Sequence, residues 1–190
     1  SRGLGDVYKR QNIYRYSPQT KKFEKLNLET DVTSAFALSE NNPSIAAYIG
    51  QSNHNAGVAY LYDMKKKTSR LLADPMKPIL DEIELGKTEP WNFTASDGTT
   101  IQGMMCLPPN FDPNKKYPLI VYYYGGTTPT ERGISNPYCA QLFASRDYVV
   151  YVINPSGTIG YGQEFSARHV NAWGKRTADD IIEGTKQFCK

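Results

Sequence analysis

A serine that attacks an acyl carbon from an α/β sheet sits at a sharp strand-to-helix elbow, Gly-x-Ser-x-Gly, with its acid and its histidine later in the chain. No such elbow occurs in these 190 residues. Ser135, in Gly133-Ile134-Ser135-Asn136-Pro137, has the first glycine but not the second, and no strand-like run leads into it. Ser156, in Asn154-Pro155-Ser156-Gly157-Thr158, lacks the first glycine. The two histidines precede the point where such a sheet would supply its base. His54 lies between asparagines and His169 follows Arg168 in a Gly- and Ala-rich connection, so both read as ordinary surface or loop residues.

One catalytic element is nonetheless compatible with the residues present. Part of the oxyanion hole in such sheets comes from the loop after the third strand, which here is Tyr124-Gly125-Gly126-Thr127. Paired glycines let the backbone turn tightly and approach a substrate. A tyrosine at the strand's end can aim its hydroxyl at developing negative charge. The residues by themselves leave a second reading open, in which Gly125-Gly126 is a plain turn and Tyr124 a core residue.

The elements that would position this loop follow from the pattern around it. Trp91 to Ala95 and Thr100 to Leu107 are β-prone runs about Asp97-Gly98, a strong hairpin signal. The run Leu119-Ile120-Val121-Tyr122-Tyr123-Tyr124 has the continuous apolar character of a strand buried in a parallel sheet. Asn136 as N-cap and Pro137 at the first helical position predict a short helix to about Ser145, with Tyr138, Cys139, Leu142 and Phe143 as its apolar face. Tyr148 to Ile153 is a further apolar strand, ended by Asn154-Pro155. Thr177 is the expected cap of a last helix, with Asp179 and Asp180 near its positive end and Ile181, Ile182, Thr185, Phe188 and Cys189 on its buried stripe. Strand, helix, strand, helix is the order of an α/β sheet. A sheet reaching only its fourth strand predicts exposed apolar faces at Val149, Tyr151, Ile181 and Phe188.

The front of the chain has another texture. Residues 1–11 show no periodicity and read as a non-native leader. Over residues 12–73, Tyr14-Arg15-Tyr16-Ser17 recurs as Tyr60-Leu61-Tyr62-Asp63, each followed by a Lys-rich turn (Lys21-Lys22; Lys65-Lys66-Lys67) and a leucine (Leu26; Leu72). An offset in the range of about 40–50 residues is typical of propeller blades, and each copy reads as a hairpin, so this part is expected to be the end of a β-propeller. Residues 74–90, with three prolines, read as a linker.

Composition excludes little but excludes it cleanly. A net charge of +3 with scattered Lys and Arg argues for no nucleic-acid partner, and no apolar stretch approaches the ~20 residues of a membrane span. Cys106, Cys139 and Cys189, each in an apolar context, read as buried free thiols.

The run Leu107-Pro108-Pro109-Asn110-Phe111-Asp112-Pro113-Asn114-Lys115-Lys116-Tyr117-Pro118-Leu119-Ile120-Val121, continuing into Tyr122-Tyr123-Tyr124-Gly125-Gly126, resembles the prolyl-oligopeptidase family of serine peptidases, in particular its dipeptidyl-peptidase and acylaminoacyl-peptidase branches. Asn154-Pro155-Ser156-Gly157-Thr158-Ile159-Gly160-Tyr161-Gly162-Gln163-Glu164-Phe165 and Trp173-Gly174 are similar to its next motifs. The resemblance covers residues 91–190. It implies an α/β fold: the N-terminal half of an α/β-hydrolase sheet preceded by the last blade or blades of a β-propeller. It implies a peptide substrate, no metal or organic cofactor, Tyr124 as oxyanion donor in a loop with Gly125 and Gly126, and a Ser-His-Asp triad beyond Lys190. Thr127 departs from the family where proline often stands, and Ser156 where arginine is common. The glutamate motif that grips a substrate's amino terminus in the dipeptidyl-peptidase branch has no counterpart. An esterase of the same fold and a non-catalytic propeller protein with a degenerate hydrolase domain are the alternatives.

Overall fold

A computed structural model describes residues 13–130, 133–135 and 138–190. The leader expected at 1–11 and the helix start expected at Asn136-Pro137 lie outside the described residues. The chain divides into two units: one holds the described residues up to Ile83 together with 133–135, the other those from Glu84 to 130 and from 138 onward.

The first unit is all antiparallel except for one helical turn. Strands β1 (Tyr14–Ser17) and β2 (Lys22–Lys25) form a hairpin, and β3 (Val32–Leu38), β4 (Ile45–Gln51), β5 (Val58–Asp63) and β6 (Thr68–Ala73) form a four-stranded meander in sequence order. The sequence repeat is a structural one. The β1–β2 and β5–β6 turns both put a lysine in the left-handed region at the same place, Lys21 at φ 55° and Lys67 at φ 56°. The residue that ends the first strand closes both turns: Thr20 N donates to Ser17 Oγ, and Lys65 N and Lys66 N donate to Asp63 Oδ1. The two hairpins are joined by a Lys67–Glu24 ion pair. On β4 the period-2 alternation buries Ala46 and Tyr48, which pack with Leu26 and Tyr62. Tyr48 stacks on its cross-strand neighbour Tyr60, with centroids 4.9 Å apart. The stretch expected to be linker begins with the turn α1 (Lys77–Leu80) and ends in a strand of the second unit, β7 (Thr88–Pro90).

The second unit is built on a mixed sheet. With β8 (Phe93–Thr94), β9 (Thr100–Cys106), β10 (Leu119–Tyr122) and β11 (Val149–Asn154), the order is β10-β11-β9-β7, with β8 on β9. Only β10 and β11 run parallel. The β8–β9 hairpin turns at Asp97-Gly98 as expected, with Gly98 at φ 82° and Thr99 N donating to Asp97 Oδ1 at 2.9 Å. Every residue of β11 is buried, because both its faces are covered. Tyr151 and Ile153 pack with Phe93, Ile101 and Phe165 on one side; Val150 and Val152 pack with Met104, Cys106, Ala140 and Ala144 on the other.

Several local expectations are corrected here. The helix after β10, α2, runs Ala140–Ala144 behind Cys139 and buries Ala140, Gln141 and Ala144; Tyr138 and Leu142, expected inside, are exposed. Small residues at i and i+4 let the helix lie close on β9 and β11. After α3 (Gln163–Ala167), helix α4 (Lys175–Phe188) is capped by Gly174, and Thr177 is inside it. Its buried line is Thr177, Asp180 and Gly184, with Ile181 and Phe188 packed beside them, while Ile182 and Cys189 face solvent. Cys139 is only half-buried, so Cys106 alone fits the expected buried thiol. Val149 is buried rather than bare, and Tyr151, Ile181 and Phe188 pack in one cluster with Trp91 and Phe93. No helix of the described residues is long and apolar enough to cross a membrane.

Candidate functional site

In open sheets with parallel strands, ligands are met at the carboxyl ends of those strands. Here that edge is formed by two loops, residues 123–130 after β10 and 155–162 after β11. The strand expected to run through Tyr124 ends at Tyr122, which packs on the Val150–Val152 face and against Tyr138. Tyr124 itself is 64% exposed, which excludes the reading of it as a core residue. Gly125 follows at φ 77°, a conformation that favours glycine. The Tyr124 ring then folds over Gly126, where a Cβ would stand 2.6 Å from a ring carbon. Both glycines are therefore needed for the tyrosine to stand where it does: one reverses the chain and the other makes room for the ring.

The loop is tied to its neighbour at two points. Ile159 N donates to Thr127 O at 2.8 Å. Three residues on, Thr130 N and Thr130 Oγ1 both donate to Asn154 Oδ1, each at 2.9 Å, and Asn154 Nδ2 donates to Tyr161 Oη at 3.1 Å. Thr130 and Asn154 are buried.

The loop after β11 is anchored from below. Ser156 N donates to Asp180 Oδ2 at 2.8 Å, Thr177 Oγ1 donates to Ser156 O, and Gly157 N donates to Phe165 O. Ser156 Oγ accepts from Arg168 Nη1 at 3.0 Å and is 1% exposed, which removes it as a nucleophile. The hydroxyl of Ser135 is likewise committed, donating to Gln51 Oε1 within the first unit. Arg168 also lies 3.8 Å from Asp97 and over the Phe165 ring. Hydrogen bonds from Thr99, and after them the Arg176 guanidinium, hold the Asp97 carboxyl well below the usual carboxylate range.

His54 is exposed, as expected. His169 lies in a turn, as a loop residue should, but it is not on the surface: it is 8% exposed, packed against Trp173 with ring centroids 4.7 Å apart and pressed against Gly157, with Nε2 buried and unpartnered. Its ring fills the space that Gly157 leaves by having no side chain, a long-range fit that no local pattern announces. Asn154, Thr130, Arg168 and Asp180 were also beyond sequence reasoning as a brace; Asn154-Pro155 signalled only the end of a strand.

Residues 135–190 match the prolyl oligopeptidase family. Among curated proteins, the probable dipeptidyl-peptidase 5 of Aspergillus terreus is 40% identical over 86 residues, 45% of this chain and 12% of that protein. Dipeptidyl-peptidase 5 of Porphyromonas gingivalis is 28% identical over 132 residues, 69% of this chain and 19% of that protein. Among solved structures, the acylaminoacyl peptidase of Pyrococcus horikoshii superposes with a TM-score of 0.80 at 22% identity, over 96% of this chain and 28% of its own. Dipeptidyl peptidase 4 of Porphyromonas gingivalis does so with 0.79 at 20% identity, over 97% of this chain and 26% of its own. The chain thus shares the mixed α/β fold of part of these enzymes and spans under a fifth of either curated relative.

Proposed function

Taking the prolyl oligopeptidase family match of residues 135–190 as the premise, we propose that this chain is part of a serine peptidase in which it supplies the oxyanion loop. The observation that carries the reading is the exposed Tyr124, held before Gly125-Gly126 at the carboxyl end of a parallel strand and beside the loop after β11. The serine, acid and base of the triad lie outside these residues, since no nucleophile elbow is among them. The four-stranded meander, with a preceding hairpin repeated at an offset of 46 residues by Tyr14 and Tyr60, supports reading the first unit as one blade of a propeller and the end of another.

In this mechanism a serine attacks the peptide carbonyl, and its oxygen gains negative charge in the tetrahedral intermediate. The Tyr124 hydroxyl donates to that oxygen. A phenol fixed in advance stabilises the charge as it develops and contributes little while the carbonyl is neutral. The surrounding polar groups, Asn154 and Thr130 among them, hold the loop rather than touch the substrate.

The test is Tyr124→Phe in the full-length parent, which keeps the ring over Gly126 and removes only the hydroxyl. Turnover of a peptide amide substrate should fall about 10²–10³-fold, the usual cost of one oxyanion donor, with the Michaelis constant little changed. An unchanged turnover makes Tyr124 a packing residue. A change confined to the Michaelis constant makes it a binding residue.

A further inference from the structure

We propose that Asn154 is a positioning residue for the oxyanion loop, acting on Tyr124 through Thr130; the inference rests on the reading of Tyr124 as the oxyanion donor. A loop that presents a catalytic hydroxyl must be held at both ends. The leading end of residues 123–130 is held by β10, whose ladder with β11 finishes at Tyr122 and Val152. At the far end, among the described residues, Thr130 is hydrogen-bonded to one side chain. Asn154, the last residue of β11 and 3% exposed, accepts both the backbone N–H and the hydroxyl of Thr130 on one oxygen, each at 2.9 Å.

The identity of the side chain follows from its partners. A backbone N–H can only donate, so the atom facing Thr130 must be the amide oxygen, and the amide nitrogen then faces the Tyr161 hydroxyl at 3.1 Å. An asparagine satisfies both neighbours without a charge in a site where burying one is costly. Leucine or alanine would strand the buried Thr130 N–H and free the loop's end. Ile159 N on Thr127 O, at 2.8 Å, fixes the middle of the same loop, but its loop is carried by the chain that Asn154 starts. Asn154 is therefore the point where the sheet's end sets the loop's position.

The consequence is kinetic. Misplacing a catalytic group by about 1 Å costs on the order of 10²-fold in rate. Asn154→Ala in the full-length parent should lower kcat on a peptide amide by about 10–10²-fold with KM within about twofold. Thr130→Val, which removes the hydroxyl and keeps the N–H, should lower kcat less, and Thr130→Ser should recover most of that loss. Each variant is also made in the Tyr124→Phe background, where the loop has no hydroxyl left to aim. There the cost of Asn154→Ala should shrink to about threefold or less, the signature of two residues acting as a unit. Equal costs in both backgrounds, or a change in KM alone, would overturn the proposal while leaving Tyr124 as the donor. If instead Tyr124→Phe itself leaves turnover unchanged, the oxyanion reading fails first, and the role of Asn154 falls with it. Should Asn154→Ala not fold, the Thr130→Val and Thr130→Ser pair decides: no difference between them in kcat refutes the brace.

Discussion

Replacing Gly157 by alanine tests the packing beneath the loop after β11. The glycine stands at φ 97°, where an L-residue is strained, and a Cβ there would lie 1.9 Å from His169 Cδ2, 2.2 Å from Nε2 and 2.5 Å from Cγ. Relief to ordinary contact needs a shift of more than an ångström from a ring that is 8% exposed and packed against Trp173 with centroids 4.7 Å apart. The left-handed backbone contributes about 1–2 kcal/mol and the overpacking about 1–3 kcal/mol. The expected cost is therefore about 2–5 kcal/mol. Hydrogen exchange resolved to peptides reads it directly, through the amides of Ser156, Gly157 and Ile159, whose acceptors are Asp180, Phe165 and Thr127. At about 1.4 kcal/mol per tenfold, these amides should exchange roughly 30-fold faster or more. In a His169→Ala background the clash is gone, and alanine at 157 should cost only the backbone part, about 1–2 kcal/mol. A single variant within about 0.5 kcal/mol of wild type, the scatter of an ordinary surface change, refutes the reasoning. So does an equal cost in both backgrounds, which would leave the ring with no part in it.

Two other outcomes follow from the charges and thiols of the second unit. Because the Asp97 carboxyl is held well below its ordinary range by Thr99 and then Arg176, its ionised form favours the folded state. That contribution is complete above the unfolded carboxylate pKa of about 4 and is lost as pH falls toward the depressed folded value. The thermal midpoint of Asp97→Asn should therefore lie below wild type at pH 7 and approach it in acid; a gap constant to pH 3 would contradict this. Burial, and secondarily Cys139, pushes the Cys106 thiol up to about 12, whereas Cys189 is exposed. Alkylation mapped by mass spectrometry under native conditions should mark Cys189 well before Cys106, and early labelling of Cys106 would mean that β9 opens readily.

Local chemistry was legible in the sequence wherever one stretch of chain decides its own form. Asp97-Gly98 specified a hairpin because a positive φ and an aspartate acceptor are both local. The two Tyr-rich copies specified two hairpins with the same turn because the lysine and the closing side chain lie within four residues of each other. The apolar run from Tyr148 to Ile153 announced a strand, and β11 is buried along its whole length, whereas β10, whose run reads as a strand buried in a parallel sheet, is only half-buried. Gly125-Gly126 after an apolar strand marked the oxyanion loop as a candidate. What the tertiary structure decided is which partners meet across distance. Helix faces differ from the sequence reading where burial depends on a neighbour: Ala140 and Ala144 are inside because β9 and β11 come close, while the larger Leu142 and Ile182 are exposed. His169 is buried because a glycine 12 residues earlier leaves a hollow of its shape. Asn154 braces Thr130 because β11 lies beside β10 in the sheet, which puts residues 24 apart in sequence within 2.9 Å. Hydrogen bonds of that kind depend on strand order, and strand order is set by the sum of many weak contacts rather than by any short run of residues.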